Sequence, residues 1–373
     1  MIPFNRASFH GNERLYMEQA ITHGSISGNG QFTRTGEAVL SQMHGGASTL
    51  LTTSCTHALE MSARLLQLQP GDEVIVPSYT FVSSASAFMW NGAHPVFADS
   101  RPDTLNIDPA HVATLITPRT KAICIVHYAG VGADPREFVE LADRHGIALI
   151  EDNAHGLGGS FDGQLLGTFG AMSTLSFHET KNLTCGEGGA LIINDPALLE
   201  RAEILREKGT DRARFLRGQV DKYTWVDIGS SWVMSDMLAA ILAAQLERFD
   251  EIQERRFLLW NRYQDELADW ADTTGVVLPH IPVEAGHTAH MFHLRLQSLE
   301  LRDAFIQHMM DRGVLTVFHY QALHESPVGL SLPGSHACPV ASEASHTLVR
   351  LPLFYDLSEA DQKTVIDAAT SFS

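Results

Sequence analysis

The stretch Ser173-Thr174-Leu175-Ser176-Phe177-His178-Glu179-Thr180-Lys181-Asn182, followed by Gly186-Glu187-Gly188-Gly189, decides how the rest of this chain is read. Alternation up to Phe177 is that of a strand, the lysine falls on a polar turn, and the glycines reverse the chain into the apolar run Ala190-Leu191-Ile192-Ile193. A lysine at the rim of a buried sheet loses part of its hydration, which lowers its pKa and frees its amine as a nucleophile. Most loop lysines are plain surface charges, so Lys181 gains weight only from a second stretch upstream.

That stretch is Ile147-Ala148-Leu149-Ile150-Glu151-Asp152-Asn153-Ala154-His155-Gly156, a buried parallel strand ending in an acid pair and then a histidine. Open α/β sheets bind ligands at the carboxyl ends of their strands. A strand-end aspartate and a lysine two elements later are the minimum kit for pyridoxal phosphate. The lysine forms the Schiff base, and the aspartate keeps the ring nitrogen protonated so that the ring accepts electrons.

Outward from these two stretches, strands alternate with helices. Ser48–Leu51, Val74–Pro77, Val96–Asp99 and Ala122–His127 read as strands, and residues 70–195 carry a βαβ rhythm that implies a largely parallel sheet. The strand at 189–194 follows a short reversal and is placed antiparallel. Thr52 to Met61 is a polar turn opening a helix, whose free amides and positive dipole end suit an anion. Ser235-Asp236 caps a helix expected from 236 to 268, with Leu238, Leu242, Leu246, Phe249 and Ile252 on one face. Beyond it come strands near 289–297 and 314–319 and helices near 302–312 and 358–371.

The 373 residues are 44% hydrophobic, enough for a sizeable core, and no apolar run reaches the length of a membrane span. Four cysteines without a close pair fit free thiols in a reducing compartment, and no secretory segment is visible, so a soluble cytoplasmic protein is expected. A formal charge of −18 argues against nonspecific nucleic-acid binding. Residues 201–222 reverse that sign locally, with Arg201, Arg206, Lys208, Arg212, Arg214, Arg217 and Lys222 against Glu203, Glu207, Asp211 and Asp221. Arg206 and Glu203 read as ordinary helix-surface charges. His287, His290 and His293 point to opposite faces of a strand, so no metal site is expected, and the 19 histidines show no shared role.

Pro77-Ser78-Tyr79-Thr80-Phe81-Val82-Ser83, Val126-His127-Tyr128-Ala129-Gly130-Val131, Glu151-Asp152, the Lys181 stretch, Arg217 to Trp225 and Phe318-His319-Tyr320 together resemble nucleotide-sugar aminotransferases of the DegT type. These belong to the fold type I (aspartate aminotransferase) superfamily, and the likeness is nearest to the dTDP-4-amino-4,6-dideoxygalactose transaminases. It runs from Met1-Ile2-Pro3-Phe4-Asn5 to Leu351-Pro352-Leu353-Phe354-Tyr355. The resemblance implies a large pyridoxal-phosphate domain over 1–249, with a mostly parallel seven-stranded sheet between helices, and a smaller α/β domain over 250–373 on which the N-terminal segment packs.

By the same resemblance, Lys181 and Asp152 are catalytic, and Cys55, Thr56, Phe81, His155 and Ser176 join them in holding pyridoxal 5′-phosphate. Many relatives have glycine at Cys55 and glutamine at His155. Arg217, Lys222, Tyr223, His319 and Tyr320 are the implied substrate residues. The implied reaction moves an amine from L-glutamate to C4 of dTDP-4-keto-6-deoxy-D-glucose, giving the galacto aminosugar. The alternatives are the gluco epimer or a non-catalytic regulator on the same fold. A homodimer with interfacial sites is implied, and Ser231 stands where some relatives offer the neighbouring subunit an asparagine. No arginine stands out as a clamp for glutamate. Lys181 argues against the related dehydratases, which carry histidine there, and the lack of an early G-x-G-x-x-G argues against a nicotinamide enzyme.

Overall fold

The apolar runs become one sheet of seven strands: β1 Ser48–Thr52, β2 Glu73–Pro77, β3 His94–Ala98, β4 Thr120–Val126, β5 Ala148–Asp152, β6 Met172–Ser176 and β7 Gly189–Ile193. They are seen in a computed structural model that describes residues 1–24, 26–334 and 337–372. In space the order is β1-β7-β6-β5-β4-β2-β3. All neighbours pair parallel except β7, which is antiparallel to both β1 and β6. The expected reversal is therefore present, with Ser176 opposite Gly189. Gly186 makes the turn at φ +90°, a backbone region that side chains rarely tolerate.

The central strands carry apolar residues on both faces because both faces are covered. Val74, Val76 and Cys124 pack with Leu59 and Met61 from the helix Cys55–Leu65. Ile75, Ile123 and Ile125 meet Phe138 and Leu141 from the helix Pro135–His145 on the other face. Each fully buried aliphatic side chain contributes roughly 1.5–3 kcal/mol. This sandwich is the platform that holds the strand ends in place.

Instead of one helix over 236–268, the structure has two, Asp236–Glu247 and Phe249–Thr274, broken at Arg248 (φ −106°, ψ 16°). The Arg248 amide bonds back to the Gln245 carbonyl at 3.1 Å, and Phe249 packs on Gly158, where a Cβ would lie 2.3 Å from its Cζ. The apolar periodicity is realised all the same: Leu242, Leu246 and Ile252 are buried in one core with Leu238 and Phe249.

The second of these helices carries Leu259, Trp260, Tyr263, Leu267 and Trp270 into a separate core. They pack there with Phe292, Phe305 and Val365 from a three-stranded antiparallel sheet and the helices Leu299–Asp311 and Glu359–Thr370. The sheet is ordered β8-β10-β9, with β8 Phe292–Arg295, β9 Val317–Phe318 and β10 Leu348–Leu351. Ile2 joins this core from the chain start, donating to the Gly313 carbonyl at 2.7 Å. Among the described residues no helix is long and apolar enough to cross a membrane.

Candidate active site

Strand β5 ends in Glu151 and Asp152, and successive strand residues point to opposite faces. Glu151 is wholly buried and takes four donors: the amides of Gly167, Phe169 and Gly170 at 2.7–2.8 Å, and His127 Nε2 at 3.0 Å. It fastens the loop that precedes β6. Asp152 faces the other way, into a cavity of about 670 Å³ at the carboxyl ends of the strands. The two acids of the pair therefore have separate jobs.

Asp152 accepts from the Ser84 hydroxyl at 2.7 Å and the Ala154 amide at 3.2 Å. Burial pushes its carboxyl up, and these donors, Lys181 and His127 pull it down. Among the described residues it forms no ion pair, although it is only 5% exposed. A buried carboxylate with hydroxyl and amide donors but no bound cation carries a desolvation cost that a protonated ring nitrogen would offset.

Lys181 is held through its neighbour in the chain. The Asn182 amide nitrogen donates to Gln253 Oε1 at 2.7 Å and to the Thr288 carbonyl at 2.8 Å, and its oxygen lies 2.8 Å from His290 Nδ1. The Lys181 amide bonds the His178 carbonyl at 2.9 Å, closing the turn. Burial lowers the ammonium to about 8, against the opposing pull of Cys55 and Asp152. The loss of hydration expected at the sheet rim is present.

Across the cavity stands the start of the helix Cys55–Leu65, where Ser54 caps the His57 amide at 3.2 Å. Ser54, Cys55, Thr56 and Ser176 all line the cavity. Gly189 makes this approach possible, because a Cβ there would lie 2.4 Å from the Cys55 nitrogen. Phe81 also lines the cavity and keeps 55% of its surface open. The far wall is a histidine stack that the spacing of those residues does not reveal. His155 lies 4.2 Å from His290, ring to ring, and 6.2 Å from His319. Burial holds all three well below the ordinary histidine pKa. His155 Nδ1 is buried without a partner among the described residues, and its Nε2 lies 3.3 Å from the Tyr320 hydroxyl.

Lys181, Asp152, Cys55, Thr56, Phe81, His155, Ser176, His319 and Tyr320 are thus brought together around one cavity. Arg217, Lys222 and Tyr223 do not line it. Arg217 instead grips both oxygens of Glu203 at 2.7 and 2.8 Å. Most of the basic island is paired in the same way: Arg201 with Asp227, Lys208 and Arg212 with Glu207, Arg214 with Glu200. Arg206, expected as a surface charge, is 6% exposed and ties Glu37, the Leu51 carbonyl and Asn29 together at 2.6, 3.1 and 3.0 Å. Its partners are remote in sequence, so no helical spacing marks it. Ser84, Asn182 and Arg350 line or brace the cavity without standing out in the sequence. For Arg350 the available signal is a lone charge inside Leu348-Val349-Arg350-Leu351-Pro352-Leu353.

A poised lysine, an unpaired buried aspartate, a helix start and an orphaned ring nitrogen fit pyridoxal phosphate, and with this fold they define a pyridoxal-phosphate aminotransferase. Residues 8–370 match the profile of the DegT/DnrJ/EryC1/StrS aminotransferase family, and the chain belongs to that family. It is 33% identical over 364 residues to the dTDP-4-dehydro-2,3,6-trideoxy-D-glucose 4-aminotransferase of Saccharopolyspora spinosa, covering 96% of this chain and 93% of that one. The aminotransferase TlmJ of Streptoalloteichus hindustanus superposes with a TM-score of 0.91 at 32% identity, over 100% of this chain and 98% of TlmJ. The sugar-aminotransferase-like Spr1654 of Streptococcus pneumoniae, solved in a PMP form, superposes with a TM-score of 0.92 at 26% identity, over 100% and 99% of the two chains.

Proposed function

We propose that this enzyme transfers the amine of L-glutamate to C4 of dTDP-4-keto-6-deoxy-D-glucose, giving dTDP-4-amino-4,6-dideoxy-D-galactose. The observation that carries the reading is the juxtaposition of Lys181 and Asp152 in one cavity large enough for a cofactor and a hexose. The relative from Saccharopolyspora spinosa, which acts at C4 of a dTDP-linked keto-deoxysugar, supports the substrate class.

Asp152 would accept from the protonated ring nitrogen, Cys55, Thr56 and Ser176 would hold the phosphate, and Phe81 and His155 would hold the ring. Bound pyridoxal phosphate supplies an electron sink for the bonding pair at the substrate carbon. Lys181, neutral for part of the time at pH 7, would take the proton from the α-carbon of the amino-acid donor and, in the second half-reaction, would deliver a proton to C4 of the sugar. Ser84 and the Ala154 amide keep the Asp152 carboxylate aimed at the cavity. Tyr320 and His319, side by side with ring centroids 3.5 Å apart, present a hydroxyl and an imidazole edge to the sugar.

In this reading the enzyme is a cytoplasmic homodimer. Arg217, Lys222 and Tyr223 serve the cavity of the second copy, and Ser231 stands near that copy's phosphate. We also propose a division into a cofactor unit over 1–249 and a smaller unit over 250–373, supported by the core that residues between Leu259 and Ala369 build with Ile2. The assay is conversion of dTDP-4-keto-6-deoxyglucose with L-glutamate, followed by proton NMR of the product. Small couplings at H4 are expected from an axial amine. Large trans-diaxial couplings on both sides of H4 would establish the gluco epimer, and no conversion together with retained cofactor would favour a regulator.

A further inference from the structure

The four residues before β8, Thr288 to Met291, form neither strand nor helix, and their carbonyls are claimed by one face of the helix Phe249–Thr274. Gln253 donates to the Thr288 carbonyl at 2.9 Å, Arg256 to those of Ala289 and His290 at 3.1 and 2.6 Å, and Trp260 to that of Met291 at 3.2 Å. Positions 253, 256 and 260 are spaced three and four apart, so they share one side of the helix. Ala289 sits at φ +47°, a left-handed conformation that residues with a Cβ seldom adopt. The segment is therefore held in its shape from outside. Arg256 is the costly member of the set. It is 3% exposed, no carboxylate among the described residues pairs with it, and burial lowers its guanidinium to about 9.

The held segment reaches His155 twice. The Thr288 hydroxyl donates to the His155 carbonyl at 2.7 Å, and the His290 ring stacks on the His155 ring at 4.2 Å and 17°. The Asn182 amide spends its hydrogens on Gln253 and Thr288, so its oxygen faces His290 and Nδ1 of that ring donates. The ionisable neighbours of His290 are His155, Lys181, Arg256 and His319, and all of them push its pKa further below the ordinary value. An apolar side chain in place of Arg256 would avoid the cost of burying a charge. What the guanidinium adds is direction: its donors are aimed at two adjacent carbonyls.

We infer that Arg256 is a positioning residue for the reaction: by gripping the carbonyls of Ala289 and His290 it holds the His290 ring against His155, and so sets where His155 meets the cofactor ring. The inference rests on His155 holding that ring, as proposed above. Its test is ¹H–¹³C NMR of the histidine rings in cofactor-free protein, assigned with His155→Gln and His290→Asn, together with the affinity for pyridoxal phosphate. In Arg256→Met the His290 midpoint should rise, because a like charge and part of the burial are lost, and the His155 signal should move as its stacking partner shifts. Pyridoxal phosphate should bind about fivefold to tenfold more weakly, the worth of one hydrogen bond. Arg256→Lys should restore part of both effects. Thr288→Val, close in shape, should move the His155 signal and leave the His290 midpoint in place. Unmoved histidine signals in folded Arg256→Met, or moved signals with a cofactor affinity within about twofold of the parent, overturn the assignment. Should Arg256→Met fail to fold, Thr288→Val decides, and an unmoved His155 signal there breaks the link between segment and ring. Failure to aminate a nucleotide sugar would sink the functional reading alone, since the NMR arm needs no substrate.

Discussion

The amine of Lys181 should react with carbonyl reagents at neutral pH far faster than any other lysine of the chain. Burial lowers its pKa from 10.5 to about 8. The sign is that of desolvation, which penalises the ammonium and leaves the neutral amine untouched. At pH 7 about one molecule in ten then carries a free amine at this position, against about one in 3,000 for an ordinary lysine, a roughly 300-fold advantage. The competing lysines are Lys121, Lys208, Lys222 and Lys363. Reductive methylation of cofactor-free protein with ¹³C-formaldehyde, with an NMR pH titration afterwards, resolves each of them. The Lys181 signal should titrate near pH 8, should vanish in Lys181→Arg, and should move lower still in Asp152→Asn, because Asp152 supports the cation. A midpoint near 10.5 would falsify the desolvation argument, and an unmoved midpoint in Asp152→Asn would remove the coupling.

Asp152→Asn should lower kcat by two decades or more, about 2.7 kcal/mol of barrier, while the thermal midpoint changes little; a loss under tenfold would show that the carboxylate has another role. Arg206→Ala should cost about 1–3 kcal/mol of stability by leaving the partly buried Glu37 and the Leu51 carbonyl without their donor, to be read as a fall in the urea midpoint; an unchanged midpoint would refute the role of Arg206 as a tie. Arg217→Ala and Lys222→Ala should raise the KM for the nucleotide sugar and spare the glutamate half-reaction; equal damage to both halves would point to a defect in folding or assembly. Glu151→Gln should destabilise the fold without a selective effect on the reaction, because its oxygens serve the amides of 167–170; a selective loss of kcat at an unchanged thermal midpoint would count against that role.

Much of the fold is legible in the sequence because its causes are local. The strands β2, β4, β5 and β7 each contain a run of apolar residues, and the reversal into β7 is written in Gly186-Glu187-Gly188-Gly189. Asp152 is readable because it closes β5 at the end where such sheets bind ligands, and Lys181 because it lies on the turn that follows β6 at the same end. What escapes depends on partners far along the chain. Arg206 meets Glu37 across 169 residues, so a helix-surface charge and a buried tie look alike in sequence. The break at Arg248 comes with a contact between Phe249 and Gly158 that no periodicity records. The histidine stack joins residues 155, 290 and 319, which lie on three separate connecting segments.

One amide side chain sets the width of the reaction chamber. Asn182 is the next residue after the lysine, yet all its side-chain bonds run to the opposite side, to Gln253, Thr288 and His290. The wall carrying the nucleophile and the wall carrying the histidine stack are thus coupled like two plates held by a short rod. The separation between the turn that carries the nucleophile and the wall it faces therefore rests on these three bonds of Asn182.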